Sequence, residues 1–164
     1  MEFKEEYVYD APIDTVWGMF ANPDYSRLRA QKLMMTGPDV RNVAGADDIQ
    51  VTTTGGIPQD MLPAAAKRFV SPSTKAVITE EWHREGPGRV IGALSVTGQG
   101  IPAALKAKVS LTADGNKTKA VMVGDLSIHI PLLGKRLERE AIGFAPELVK
   151  GEKETAAEFL AKGK

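Results

Sequence analysis

The 164-residue sequence contains no cysteine, which excludes disulfide bonds and thiolate sites for metals or redox chemistry. Charge of one sign is also missing, because 21 Lys and Arg residues are balanced by 21 Asp and Glu residues. A chain without a charged block is not expected to bind nucleic acid or an anionic membrane as its main partner.

Long apolar runs are absent too, and none approaches the roughly 20 residues that a membrane-spanning helix needs. The first residues, MEFKEE, are polar and acidic, and they lack the apolar centre of a signal peptide. We therefore predict a soluble cytoplasmic protein without integral membrane association. Its length favours a single domain over residues 1–164, large enough to bury most of its apolar surface.

Turn-forming Gly, Pro, Asn and Asp residues divide the rest into short segments, most of which favour β-strands. Two short helices are predicted after the first strand, at residues 13–20 and 23–32. In the second helix, the spacing turns inward Tyr25, Leu28 and Leu33. Strands are predicted at residues 3–9, 39–43, 49–54, 75–84, 89–97, 104–112 and 119–130. Consecutive strands joined by short turns predict an antiparallel meander.

The segment 132–162 has apolar residues three or four positions apart, which is typical of an amphipathic helix. These residues are Leu133, Leu137, Ala141, Phe144, Leu148, Thr155 and Phe159. Gly143 and Pro146 interrupt the pattern, so we expect the helix to bend there. The element order predicts an α+β fold in which a curved, seven-stranded antiparallel sheet wraps around the long C-terminal helix.

Short motifs in this order resemble those of the START-like helix-grip superfamily, which includes the birch-pollen allergen, polyketide cyclases and lipid-transfer proteins. The opening segments APIDTVW (11–17) and NPDY (22–25) carry this resemblance. More narrowly, the chain resembles an actinobacterial START-like family of unknown function through the segments LP (62–63), KRFV (67–70), EEW (80–82) and IPLLGK (130–135). The resemblance spans the chain and implies a cavity for a hydrophobic small molecule between sheet and helix. Carrier, cyclase and co-chaperone functions all occur on this fold.

Ten residues are candidates for lining such a cavity. Strand alternation or helical spacing turns eight of them inward, namely Trp82, Leu94, Val96, Leu111, Met122, Leu126, Phe144 and Leu148. Met61 and Leu62 belong to the segment 57–70, which we interpret as a portal because glycines and prolines surround an adaptable methionine. The alternative interpretation is that the eight residues pack as ordinary core and that this segment is a plain connection over the sheet edge.

Glu80 is the ionisable residue that alternation with Trp82 would turn inward. A buried carboxylate is costly unless it is paired, and it would be a functional candidate with a raised pKa. An exposed segment or a shifted register at Glu80 is the simpler expectation. Trp17 is expected in the core, while His83 and His129 are expected on the surface and are too far apart in sequence to suggest a metal site.

We accordingly predict no catalytic residue, cofactor or metal. The favoured function is that of a carrier or sensor, rather than an enzyme, which binds a hydrophobic molecule such as a lipid or polyketide. One alternative is an aromatase/cyclase-like enzyme, which would need ionisable groups that point into the cavity. Another is a co-chaperone-like interaction module, which would need a filled interior and an exposed apolar patch. The sequence leaves the ligand and the oligomeric state open.

Overall fold

The computed structural model describes residues 1–163; Lys164 and the side chain of Met61 lie outside the described residues. Seven strands form one antiparallel sheet with the spatial order β1-β7-β6-β5-β4-β3-β2. They are β1 (Glu2–Tyr9), β2 (Thr36–Ala44), β3 (Asp48–Gly56), β4 (Lys75–Gly86), β5 (Arg89–Gly98), β6 (Ala103–Asp114) and β7 (Lys117–Ile128). The helices are α1 (Ile13–Ala21), α2 (Pro23–Lys32), α3 (Ala64–Lys67), α4 (Gly134–Gly143) and α5 (Ala145–Lys162). A 3₁₀ turn, Gln59–Met61, precedes α3.

This architecture confirms the predicted α+β helix-grip fold. The chain starts at one edge of the sheet, crosses over through α1 and α2, and then forms β2 to β7 in succession. Asn22 caps α2, because its side-chain oxygen accepts a hydrogen bond from the backbone N–H of Asp24. The predicted long C-terminal helix is divided in two at Phe144, between Gly143 and Pro146, where a bend was expected.

One face of the sheet is concave and carries most of its apolar side chains. The registers place Trp82 opposite Gly92, Gly92 opposite Val109, and Val109 opposite Met122. Side chains alternate along a strand, so every second residue counted from Trp82, Gly92, Val109 or Met122 also lies on this inner face. On β4 and β5 they include Glu80 and Leu94, which also pair with each other.

At one end of the concave face, α1, α2 and the C-terminal part of α5 close over the sheet. Phe20, Tyr25 and Trp82 meet there with ring centroids 4.6 to 6.0 Å apart, and they are buried together with Val16 and Leu111. Aromatic contacts of this kind supply a large share of a small domain's burial. This end of the molecule is therefore a packed hydrophobic core.

The inward face of α2 differs from the prediction. Tyr25 is fully buried and Leu28 half-buried, but Leu33 is exposed. Arg29 turns inward instead, because it lies one helical turn after Tyr25, and its guanidinium carbon is 4.7 Å from the centre of the Tyr25 ring. None of the helices among residues 1–163 combines the length and apolarity that crossing a membrane would require.

Candidate functional site: an open trough with a charged end

The other end of the concave face is not closed in the same way. There the inward side chains of Leu94, Val96 and Leu126 are only half-buried. Within the described residues, α4 packs mainly on β7, while α5 packs on α2 and β1. The main contacts of these two helices are therefore not with the middle strands β4, β5 and β6.

The C-terminal helices leave the middle of their apolar stripe uncovered as well. Leu137 near one end and Thr155 towards the other are buried. Between them, Phe144 is 64% and Leu148 is 56% exposed. These two large side chains are therefore not covered by the rest of the described chain. We call the half-buried inner face at this end of the sheet, together with Phe144 and Leu148, the trough.

The ten cavity candidates fall into separate regions. Leu94, Val96 and Leu126 are half-buried on the inner face at the open end. Met122 is half-buried and packs against the closed core, and Leu62 is half-buried in the segment 57–70. Two residues, Trp82 and Leu111, lie in the closed hydrophobic core. Phe144 and Leu148 are exposed along the helices, and Met61 has its side chain outside the described residues.

Two surface hollows lie away from the trough. One, of about 490 Å³, is on the convex face of the sheet and is lined in part by Ala93, Lys106, Lys108 and Val123. The other, of about 640 Å³, lies where β7 leads into α4, beside Ile130 and Leu132. Neither hollow includes the charged group at which the trough ends.

That charged group contains Glu80, whose side chain points inward and is only 5% exposed. The pairing of Val51, Glu80 and Leu94 across β3, β4 and β5 is regular at this point. The expectation of an exposed segment or shifted register was therefore wrong, and the alternation from Trp82 gave the right orientation. Oε1 of Glu80 accepts a hydrogen bond of 2.6 Å from Nη1 of Arg29.

Arg29 joins Glu80 to a second carboxylate, that of Glu152 on α5. Its Nε and Nη2 atoms lie 3.1 and 3.0 Å from the two oxygens of Glu152, a two-point contact that suits a planar guanidinium. The Tyr25 hydroxyl donates to Oε1 of Glu152. Arg29 and Glu152 keep 19% and 22% of their side chains exposed, so solvent reaches this charged cluster of Arg29, Glu80 and Glu152.

The charges of the cluster do not balance, because one guanidinium faces two carboxylates. Burial raises the pKa of Glu152 to about 8, since the charged form loses hydration and the one nearby cation is already shared with Glu80. Burial alone would lower the pKa of Arg29, but the charge and hydrogen bond of Glu80, together with Tyr9 and Tyr7, outweigh it, and the pKa of Arg29 is raised. At neutral pH the cluster therefore holds Arg29 as a cation and Glu152 mainly as a neutral acid.

Two tyrosines of β1 adjoin the cluster on the inner face of the sheet. Burial raises the pKa of Tyr7 to about 12, and the charge of Glu152 acts in the same direction. The rings of Tyr7 and Tyr9 are 5.5 Å apart, with Tyr9 deeper in the core. Glu5, two residues before Tyr7, is half-buried on this same face. The end of the trough is therefore rich in hydrogen-bonding oxygens.

Sequence reasoning missed Arg29 and Glu152, although both followed from spacing. Arg29 is four residues after Tyr25, which was predicted to face inward, and Glu152 is four residues after Leu148 on the predicted apolar stripe. Charged residues at such positions more commonly lie in solvent at the edge of the apolar stripe, so the spacing alone did not indicate that these two side chains turn inward.

Replacing Glu152 with glutamine is expected to change how stability depends on pH. Between pH 4.5 and about 8, the folded protein keeps a proton on Glu152 that the unfolded chain has released, so the wild-type free energy of unfolding falls as the pH rises. Glutamine removes that slope. Between these two pH values, the free energy of unfolding of the wild type should fall by about 2 to 4 kcal/mol relative to that of Glu152→Gln. This range allows for the partial exposure of the Glu152 side chain. Urea unfolding at several pH values measures this difference. If the wild type instead becomes more stable relative to the variant as the pH rises, the prediction is wrong.

The fold occurs in several proteins of known structure. TTHA0849 from Thermus thermophilus is 17% identical, with a TM-score of 0.59 over the full length of both chains. A START superfamily protein from Mycobacterium smegmatis is 10% identical, with a TM-score of 0.56 over 96% of this chain and 98% of that one. Human STARD10 is also 10% identical, with a TM-score of 0.63 over 98% of this chain and 64% of its own. These similarities identify the START-like helix-grip fold.

Sequence comparison adds a family without an assigned activity. A family model described as "Protein of unknown function (DUF2505)" matches residues 5–160. No curated protein matches the chain. The function must therefore be argued from the trough and its charged end.

Proposed function

The chain belongs to the DUF2505 family of unknown function, and we propose that it binds a small hydrophobic or amphiphilic molecule in the trough, as a carrier or sensor. The observation that supports this proposal is the exposure of large apolar side chains, with Val96 half-buried on the sheet and Phe144 and Leu148 exposed on the helices. Apolar side chains of this size lose solvation free energy when they stay exposed, at roughly 25 cal/mol per Å². A ligand chain that lies between the two surfaces would remove that cost.

The charged cluster supports an amphiphile rather than a purely apolar ligand. A binding site is typically apolar with a few polar groups that orient the ligand. Here the apolar side chains occupy the open end, and Arg29, Glu80 and Glu152 lie where the closed core begins. A ligand with one polar end can satisfy both regions at once. Leu62, in the segment proposed as the portal, is half-buried and available for contact.

Phe144→Asp is expected to weaken the binding of a neutral apolar probe, Nile red, about tenfold or more, because it places a charge on the surface that the probe would cover. Phe144 is mostly exposed, so the variant should retain the wild-type thermal midpoint. Ala157→Asp is the matched control, since it adds the same charge to an exposed position on the opposite face of α5. Fluorescence titration measures both affinities. Equal affinities for the two variants, with intact folds, would refute the proposed position of the site.

A second candidate is an enzyme that transfers protons, and the near-neutral pKa of Glu152 favours it. The aromatase/cyclase-like alternative required an inward ionisable group, and Glu80 and Glu152 supply two. The test is to extract whatever molecule co-purifies and incubate it with fresh protein and with Glu152→Gln. A mass change that needs Glu152 would favour the enzyme, and an unchanged molecule would favour the carrier. The co-chaperone-like alternative required a filled interior, which the half-buried residues of the trough do not support.

A further inference from the structure

We propose that the charged cluster is a head-group subsite that selects amphiphiles with a protonated amine over those with a carboxylate. This inference rests on the proposed trough and names the chemical class of its ligand. It follows from the balance of charges, the free hydrogen-bonding capacity and the position of the cluster.

The cluster has more carboxyl groups than cations. Arg29 is its one cation, and it faces both Glu80 and Glu152. Like charges brought close together repel, while an opposite charge is attracted strongly in a partly buried site. An ammonium group would therefore give Glu152 a cationic partner when it ionises, whereas a carboxylate would bring a further negative charge beside Glu80.

The cluster also has hydrogen-bond acceptors to spare. Among residues 1–163, Glu80 accepts its hydrogen bond through Oε1, which leaves Oε2 without a donor. The three guanidinium nitrogens of Arg29 are each already engaged with a carboxylate. An incoming head group thus meets an unused acceptor more readily than an unused cation. A primary ammonium, with three N–H donors, matches this arrangement.

The surroundings of Glu152 in the described part of the chain contain no second cation that would favour an anionic head group. Arg29 and Tyr25 face it from α2, and Tyr7, Tyr9 and Glu5 lie on β1. The next cation along α2, Lys32, is paired 3.0 Å from Glu158 at the surface. An arriving ammonium would therefore supply Glu152 with a cation besides Arg29, which is shared with Glu80.

The proposal also links amine binding to a proton. Glu152 is mainly neutral below pH 8, so an ammonium that binds beside it drives its ionisation and releases a proton. Amine affinity should accordingly rise between pH 6 and pH 9, a range in which an alkylamine keeps its own charge. Glu152→Gln should abolish this rise.

The test compares decylamine, decanol and decanoate, which share a chain length and differ in head group. Isothermal titration calorimetry of the wild type at pH 8 should find decylamine at least tenfold tighter than decanoate, with decanol between them. Glu80→Gln and Glu152→Gln should each weaken decylamine about tenfold and change decanol by less than twofold. Glu154→Gln, at an exposed position of the same helix, is the control and should change none of the three.

The outcomes separate the subsite from the trough. If all three probes bind with similar affinity and the cluster variants change them equally, the subsite is refuted while the trough stands. Tightest binding of decanoate would also refute the subsite, because Arg29 would then be the receptor for an anion. If none of the probes binds to the wild type, the trough and the subsite fail together. Should Glu80→Gln not fold, the pH profile of decylamine binding to wild type and Glu152→Gln decides the question alone.

Discussion

Replacement of Arg29 with methionine is expected to lower the free energy of unfolding by about 3 to 5 kcal/mol. Glu80 is nearly inaccessible to solvent and Arg29 is its one ionic partner in the described part of the chain. Methionine keeps much of the volume of the side chain but leaves the Glu80 carboxylate buried without a cation. The hydrogen bonds to Glu152 are lost as well. Chemical denaturation at pH 7 measures the difference.

Arg27→Met is the matched control for this prediction. Arg27 is on the same helix and pairs with Asp24 at an exposed site, so its loss should cost no more than about 0.5 kcal/mol. The double variant Arg29→Met/Glu80→Leu should recover much of the loss, because it removes the unpaired charge together with its partner. If Arg29→Met is as stable as Arg27→Met, the cluster does not stabilise the fold as we describe.

Replacement of Trp82 with alanine is expected to cost a similar amount, about 3 to 5 kcal/mol. The Trp82 ring lies 4.6 Å from the Phe20 ring and covers Gly92 on the neighbouring strand. Any Cβ at position 92 would come within 2.4 Å of that ring, so the glycine and the tryptophan fit each other. Alanine at position 82 would leave a cavity that the rigid sheet cannot close.

Trp17→Ala provides the comparison for Trp82→Ala. Trp17 is half-buried and has the Arg84 guanidinium 4.7 Å from its ring centre, so we expect a loss of about 1 to 2 kcal/mol. Thermal unfolding of the two variants gives the ranking. Equal losses, or a larger loss for Trp17, would mean that the closed core is not centred on Trp82.

The fold was largely predictable because its signals are local. Gly and Pro residues mark the turns, alternation marks the strands, and the Gly143–Pro146 segment marks the division of the C-terminal helix. Once the strands are short and consecutive, few arrangements other than an antiparallel meander remain. The strand that begins earliest relative to its prediction is β2, which starts at Thr36 instead of residue 39.

The candidate site was less predictable because its signals are not local. Arg29, Glu80 and Glu152 lie on α2, β4 and α5, and only the folded chain shows that one guanidinium lies between two carboxylates. Each residue alone is more commonly a solvated surface charge. The exposure of Phe144 and Leu148 could not be predicted either, because helical spacing identifies an apolar face but not what covers it.

Isotope-filtered NMR with decylamine locates the bound ligand, because nuclear Overhauser effects report which protein protons touch it. We expect contacts from the ligand chain to the methyl groups of Val96 and Leu148, with the amine end nearest Glu80. Contacts to Ala93 and Val123 instead would place the ligand in the hollow on the convex face and would refute binding in the trough.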